Sequence, residues 1–406
     1  MQVERRCEKC GQMIPAGERE CPACSETGRF LWRVPRNTLL LLSLLTLIIL
    51  FFITSYVARA YHAKESELGK EWYAQGERDL AAGKAESALT DFRSALGYSP
   101  EDPLIGLHLA QALAAAGHRS EAQAYLLTLR ETDPGNGMVN LELARLAADG
   151  GSVADAVHYY QNSIYGQWEG NSGRHRRQAR VEMAEFLLRV GRKTEAQSEL
   201  MALTADLPSD PALATQAATM LLKTGDYENA SLLFRRALRL HPNDRAALQG
   251  LGEASFDAGN YSDARRYLSN AKRLGALPGQ LQSLLETANL IVQLDPLAPR
   301  LNERERVRRV MAAFSQSMNR LRACTEARGG SAAGSQLPPD LQNLNTQASA
   351  LAPKVRQPDL AADPDLSLQV TDMAFEIEKM TEGVCGEPQG ADLALLLLSR
   401  EQGRSE

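Results

Sequence analysis

Residues 72–100 read "WYAQGERDLAAGKAESALTDFRSALGYSP", and residues 217–244, "AATMLLKTGDYENASLLFRRALRLHPND", follow the same plan. The two stretches share phases more than identities. Ala88, Ala122, Ala156, Ala196, Ala230 and Ala264 lie 34, 34, 40, 34 and 34 residues apart. Twelve residues before each stands a small residue: Gly76, Ala110, Ala144, Ala184, Ala218 and Gly252. Four residues after each stands a bulky one: Phe92, Leu126, Tyr160, Leu200, Phe234 and Leu268. Gly83, Gly117, Gly151, Gly191, Gly225 and Gly259 fall midway, and Pro100, Pro134, Pro208 and Pro242 close four of the units. Small residues let two antiparallel helices approach closely, the bulky residue fills the space beside them, and glycine permits the turn between them. Self-similarity at such a period is the mark of a stacked helical repeat.

The pattern resembles the tetratricopeptide repeat, in six copies over residues 69–278. The resemblance implies an all-α helical solenoid in which the first helix of each repeat lines a binding groove. Three residues before the small residue lie Tyr73, Leu107, Leu141, Val181, Thr215 and Gln249, and one residue after it lie Glu77, Gln111, Arg145, Glu185, Thr219 and Glu253. These twelve are the candidate partner-groove residues. They lack the lysine and asparagine set by which some family members clamp a terminal carboxylate, so the implied ligand is an extended or helical protein segment. One departure stands out. Six residues are added between repeats three and four, within "IYGQWEGNSGRHRRQ", where Trp168 occupies the proline phase. The charge cluster Arg174, Arg176 and Arg177 reads as a solvated connection.

Ahead of the repeats, "CEKCGQMIPAGERECPAC" carries Cys7, Cys10, Cys21 and Cys24 in two Cys-x-x-Cys pairs. Four thiolates in two tight turns close a tetrahedral site and leave no open position, which predicts a structural Zn²⁺. Over residues 7–24 the segment resembles the short zinc ribbons at the N-termini of many bacterial membrane proteins, and 1–30 is read as a zinc ribbon. Basic and acidic residues alternate through this segment, so it presents no clean face for nucleic acid. The charge-free run Leu39–Val57 follows. At ~1.5 Å per residue it reaches roughly 28 Å, enough to cross a bilayer once. Ala58-Arg59-Ala60 has the form of a signal cleavage site, but the run is longer than a usual signal core, and 38–57 is read as an uncleaved transmembrane helix. Arg29, Arg33 and Arg36 precede it, whereas Arg59 and Lys64 follow beside Glu65 and Glu67, which favours a cytoplasmic N-terminus. Residues 58–68 are read as a juxtamembrane linker.

Beyond the repeats, residues 279–325 are read as capping helices, 326–340 as a flexible linker and 341–406 as a helical tail. Cys324 and Cys385, far from the other four, are read as a disulfide, which suits an oxidising compartment as the thiolate cluster suits a reducing one. The net charge of −5 over 406 residues argues against a dedicated nucleic-acid binder. Six scattered histidines form no metal-ligand pair, and no phosphate loop or nucleophile elbow appears. The sequence therefore predicts a non-enzymatic, single-pass protein of a bacterial inner membrane, its repeats in the periplasm and binding a partner protein in envelope assembly or secretion. The rival reading is a transmembrane reporter or adaptor whose zinc ribbon docks a cytoplasmic partner. Neither reading calls for nucleic acid or a small-molecule substrate.

Overall fold

All six phase glycines have positive φ, between 74° and 91°, a conformation that side chains resist. After each, the next residue's N–H returns to the carbonyl five positions back: Lys84 to Asp79, His118 to Leu113, Ser152 to Ala147, Arg192 to Leu187, Asp226 to Leu221 and Asn260 to Ser255, at 2.8–3.1 Å. This is the Schellman closure, repeated at every helix turn of the series. The small–bulky phase has an equally direct cause. A Cβ on Gly76 would lie 2.8 Å from the Phe92 ring, and one on Gly252 would lie 2.6 Å from Leu268. Two residues past the closing prolines stand Asp102, Asn136, Asp210 and Asp244, whose side chains accept backbone N–H groups at the start of the next helix.

The computed structural model describes residues 4–26, 36–329 and 338–405, and they form two compact units. The first, Met1–Glu131, begins with an antiparallel pair, β1 (Arg5–Arg6) and β2 (Met13–Ile14), followed by α1 (Pro22–Glu26). Then come α2 (Arg36–Ala81), α3 (Ala85–Tyr98), α4 (Pro103–Ala115) and α5 (Arg119–Thr132), with α3 packed between the end of α2 and α4. Helix α2 runs through the expected linker. Residues 58–68 are helical and continuous with both the apolar run and the first repeat. Nothing between Ala58 and Glu67 breaks a helix, and alanine, glutamate and lysine favour it. Among the described residues α2 is the one helix long and apolar enough to cross a membrane, and the apolar side chains of its stretch 40–57 are exposed, as at Leu41 and Phe51.

The second unit, Thr132–Glu406, contains α6 (Gly137–Asp149), α7 (Val153–Tyr165), α8 (Ser172–Arg189), α9 (Lys193–Ala205), α10 (Pro211–Thr224), α11 (Tyr227–Leu240), α12 (Arg245–Asp257) and α13 (Tyr261–Leu274). They pair as α6–α7, α8–α9, α10–α11 and α12–α13, and each pair packs on the next, giving a tetratricopeptide-like solenoid. The core of its middle follows the predicted phases, with Ala184, Leu200, Ala218, Ala230 and Phe234 all buried.

The six-residue insertion is folded, where a solvated connection is expected. Gln167 exchanges backbone bonds with Gly135 and Gly137 at 2.8 Å each, and the Trp168 indole donates to the Ser163 carbonyl at 2.8 Å. Trp168 covers Gly137, where a Cβ would clash, and stacks on His175 at 4.8 Å. An apolar ring finding a seat beside a glycine explains why the segment collapses onto the preceding turn. Arg174 and Arg176 are exposed, but Arg177 pairs with Asp206 at 3.1 Å.

The chain then forms α14 (Gly279–Leu294), α15 (Glu303–Gly329), α16 (Pro339–Leu351), α17 (Gln357–Ala362), α18 (Pro364–Cys385) and α19 (Ala391–Ser405). Helix α14 packs on α12 and α13, and α19 on α14 and α18. Tyr261 of the last repeat joins Ile291, Val310, Phe314, Phe375 and Leu395 in one apolar cluster, so the tail covers the stack's edge. Of the expected linker 326–340, residues 326–329 end α15 and Pro339 begins α16, while 330–337 lie outside the described residues. So do Arg29 and Arg33, on which the orientation argument draws, and residues 27–30 of the expected ribbon.

Candidate functional site

Among the described residues, two places are candidates for binding. The first is the cysteine knot. The β1–β2 turn carries Cys7 and Cys10, and its knuckle is drawn by Cys7 N–H donating to Gln12 O and Gly11 N–H donating to Cys7 O, both at 2.9 Å. Cys21 precedes α1 and Cys24 lies within it, so a helical turn supplies the second pair. The four sulfurs lie within 4.8 Å of one another, with Cys10 Sγ 3.5 Å from Cys21 Sγ and Cys7 Sγ 3.9 Å from Cys24 Sγ. A tetrahedral zinc with Zn–S of ~2.3 Å sets its sulfurs ~3.8 Å apart, so the donor set and its spacing fit that ion. Backbone N–H groups of Cys10 and Lys9 draw the Cys7 thiol down to about 7, whereas Cys10 and Cys7 push Cys24 up to about 12. Four thiols this close oppose one another's ionisation, and a bound cation reverses that opposition.

The second is a groove of about 680 Å³ between α8, α10 and α12. Successive first helices sit side by side there, because the small phases at Ala184, Ala218 and Gly252 draw their partners to the other side. Glu185, Thr215 and Thr219, all predicted groove residues, line it. Leu188, Arg189, Gln216, Met220, Lys223 and Asp244 line it too and are absent from the predicted set. The signal for two of these was present: Arg189 and Lys223 are 34 residues apart and each lies one helical turn beyond a predicted position.

The other predicted positions divide. Leu107, Leu141 and Val181 are buried, at 7%, 2% and 8% exposure, and so belong to the core and not to a binding surface. Their phase sits between neighbouring helices, so an apolar side chain there is taken up by the packing. Tyr73 stacks on His108 at 5.3 Å, and its hydroxyl lies 2.9 Å from His108 Nδ1 and 3.2 Å from Glu77 Oε1. Burial, with Glu77 adding to it, pushes this phenol up to about 12. Arg145 donates to both oxygens of Glu182, at 2.8 and 2.6 Å, and to Glu142 at 2.8 Å, an ion cluster that braces α6 to α8. Gln111, Gln249 and Glu253 are half-buried, and burial together with Asp257 raises the Glu253 carboxyl.

Cys324, in α15, is joined to Cys385, the last residue of α18, with Cα atoms 5.5 Å apart. Beside this link Ser317 donates to the fully buried Glu378 at 2.8 Å. Arg320 donates to Thr381 Oγ1 at 2.8 Å and to the Gly386 carbonyl at 2.9 Å, and lies 3.4 Å from Glu378 and from Asp392.

With this geometry in view, the comparisons with known proteins are consistent in kind. The family model described as "Tetratricopeptide repeat" matches residues 79–146 and 221–286, within the tetratricopeptide-like solenoid described above. A protein of Komagataeibacter xylinus, "Cellulose synthase 2 operon protein C", is 31% identical over 220 residues, 52% of this chain. The chain spans only 15% of that relative's length. Among solved structures, PilW, described as a widely conserved type IV pilus biogenesis factor, aligns over 54% of this chain and 98% of its own at 15% identity and a TM-score of 0.42. YrrB, described as a tetratricopeptide repeat protein with an unusual peptide-binding site, covers 47% of this chain and 94% of its own at 15% identity and a TM-score of 0.38.

Proposed function

We propose that this chain is a membrane-anchored scaffold whose groove between α8, α10 and α12 holds a segment of a partner protein. The observation that carries the reading is the groove itself: it runs across three successive first helices, and its walls mix apolar and polar side chains. In this reading α2 crosses the bacterial inner membrane through Leu39–Val57, the N-terminus is cytoplasmic, and the repeats work in the periplasm in envelope assembly or secretion. The relative's name, which ties it to a cellulose synthase operon, supports an envelope setting. Zn²⁺ would be held by Cys7, Cys10, Cys21 and Cys24, fixing a segment too short to build its own core. No step of catalysis is assigned.

The test is photo-crosslinking in intact cells from Thr219, in the groove, and from Leu232, exposed on α11 at 55%. A discrete adduct from Thr219 and none from Leu232 supports the reading; adducts from Leu232 alone would remove it. A second reading is favoured by the uninterrupted α2, which joins span and first repeat without a hinge. There the chain reports groove occupancy to the cytoplasmic knot. Lys64→Pro, in the exposed stretch of α2, separates the two, since a proline interrupts the helix while the repeats keep their packing. A scaffold keeps its function in that variant, and a reporter loses it.

A further inference from the structure

The groove's polar groups are unequally engaged. Glu185 accepts from Gln216 Nε2 at 2.9 Å, and Asp244 accepts from the backbone of Ala246 and Ala247 and from Thr215 Oγ1 at 3.3 Å. Thr219 Oγ1 donates to its own helix, at the Thr215 carbonyl. Arg189 and Lys223, both exposed, pair with no carboxylate among the described residues. Their positions in the last turns of α8 and α10 suit the helix dipoles but leave their N–H groups unspent. The acids Glu185, one turn before Arg189 on α8, and Asp244, at the start of α12, have acceptors engaged, whereas Arg189, its guanidinium 5.6 Å over the Phe186 ring, and Lys223 have no carboxylate partner among the described residues and line the groove with Leu188 and Met220.

What an occupant must supply follows from what the walls have left over: negative charge and apolar surface. We propose that the groove selects a protein segment bearing two acidic residues beside apolar ones, the acids facing Arg189 and Lys223. This rests on the groove reading above and adds the partner's chemistry to it. Neighbouring packed helices lie ~8–10 Å apart, and an extended chain rises ~3.3 Å per residue, so the two acids belong two or three residues apart. An apolar side chain between or beside them meets Leu188 and Met220.

The experiment uses the full chain in nanodiscs and three fluorescein-labelled twelve-residue peptides of shared leucine pattern, carrying at the two variable sites glutamate, glutamine or lysine. Anisotropy is expected to give the glutamate peptide about tenfold tighter binding than the lysine peptide, with the difference shrinking as salt is raised. Arg189→Gln with Lys223→Gln should abolish the preference, and Arg189→Glu with Lys223→Glu should reverse it, both at an unchanged thermal midpoint. Equal binding of all three peptides, lost on Thr219→Trp, would overturn the acidic inference while leaving the groove reading intact. An acid preference that survives the charge reversal overturns it as well. Absence of binding by any peptide, with no Thr219 adduct in cells, removes both.

Discussion

At the scale of single residues, the repeat phases exist because atoms would otherwise overlap, and this can be tested where the sequence gives least warning. Gly250 lies outside the small phase, yet a Cβ there would come within 2.2 Å of the Phe234 ring. Gly250→Ala should destabilise the second unit by about 1–3 kcal/mol in denaturant unfolding, whereas Gly97→Ala, with nothing within 4 Å, should be neutral or slightly stabilising. Equal effects would discount the steric account. Glu378 gives a second test. Burial pushes its carboxyl up to about 7, from 4.5 when unfolded, with Asp392 adding to the rise and Ser317 and Arg320 opposing it. The folded state thus holds the proton more tightly. This contribution is full below about 4.5, fades as pH rises through about 7, and amounts to about 3 kcal/mol at most. Glu378→Gln, which can still accept from Ser317, should flatten the fall in stability between those pH values; an unchanged slope would assign it to other groups. Neither glycine 250 nor this buried acid is legible in the repeat pattern, because both depend on which helix arrives opposite.

At the scale of elements, the turn glycines and the Asp or Asn caps make every helix boundary of the repeats readable from local chemistry. The joint between the apolar run and the first repeat carries no such local mark. Residues 58–68 carry charge after an apolar run, which looks like a linker, but no residue there stops a helix and α2 continues through them. The groove was legible in part. Helical phase brought Glu185, Thr215 and Thr219 to it, but the same phase sent Leu107, Leu141 and Val181 inside, since one phase serves both as wall and as inter-helix contact according to the side chain placed there. The disulfide belongs to this scale, because it ties α15 to the end of α18. Closing a separation of 61 residues should contribute about 4 kcal/mol in the chain-entropy model. Cys324→Ser with Cys385→Ser should lower the thermal midpoint of the oxidised protein and abolish its sensitivity to dithiothreitol; a midpoint that dithiothreitol leaves unmoved in the parent chain would show that the link adds nothing.

For the whole molecule, the two cysteine groups ask for opposite surroundings: four thiolates that a metal needs reduced, and one link that needs oxidation. A single crossing by α2 between them, as proposed above, would meet both demands. Membrane-impermeant maleimide applied to intact cells should label Gln347→Cys and spare Glu18→Cys until the membrane is opened; the reverse pattern would place the repeats in the cytoplasm. Purified chain should carry one zinc, lost in Cys10→Ser while the repeats' thermal midpoint holds; metal-free parent chain would leave the thiol cluster unexplained. By itself the sequence determined the helical repeat, its turns, the long apolar helical run and the two cysteine groups, since each depends on residues close together in the chain or on a strict period. Tertiary structure decided the rest. Which phase residues line a groove, which ions are already engaged, how Trp168 folds the insertion down and where Glu378 is buried all depend on partners tens of residues away, and those are set only when the helices pack.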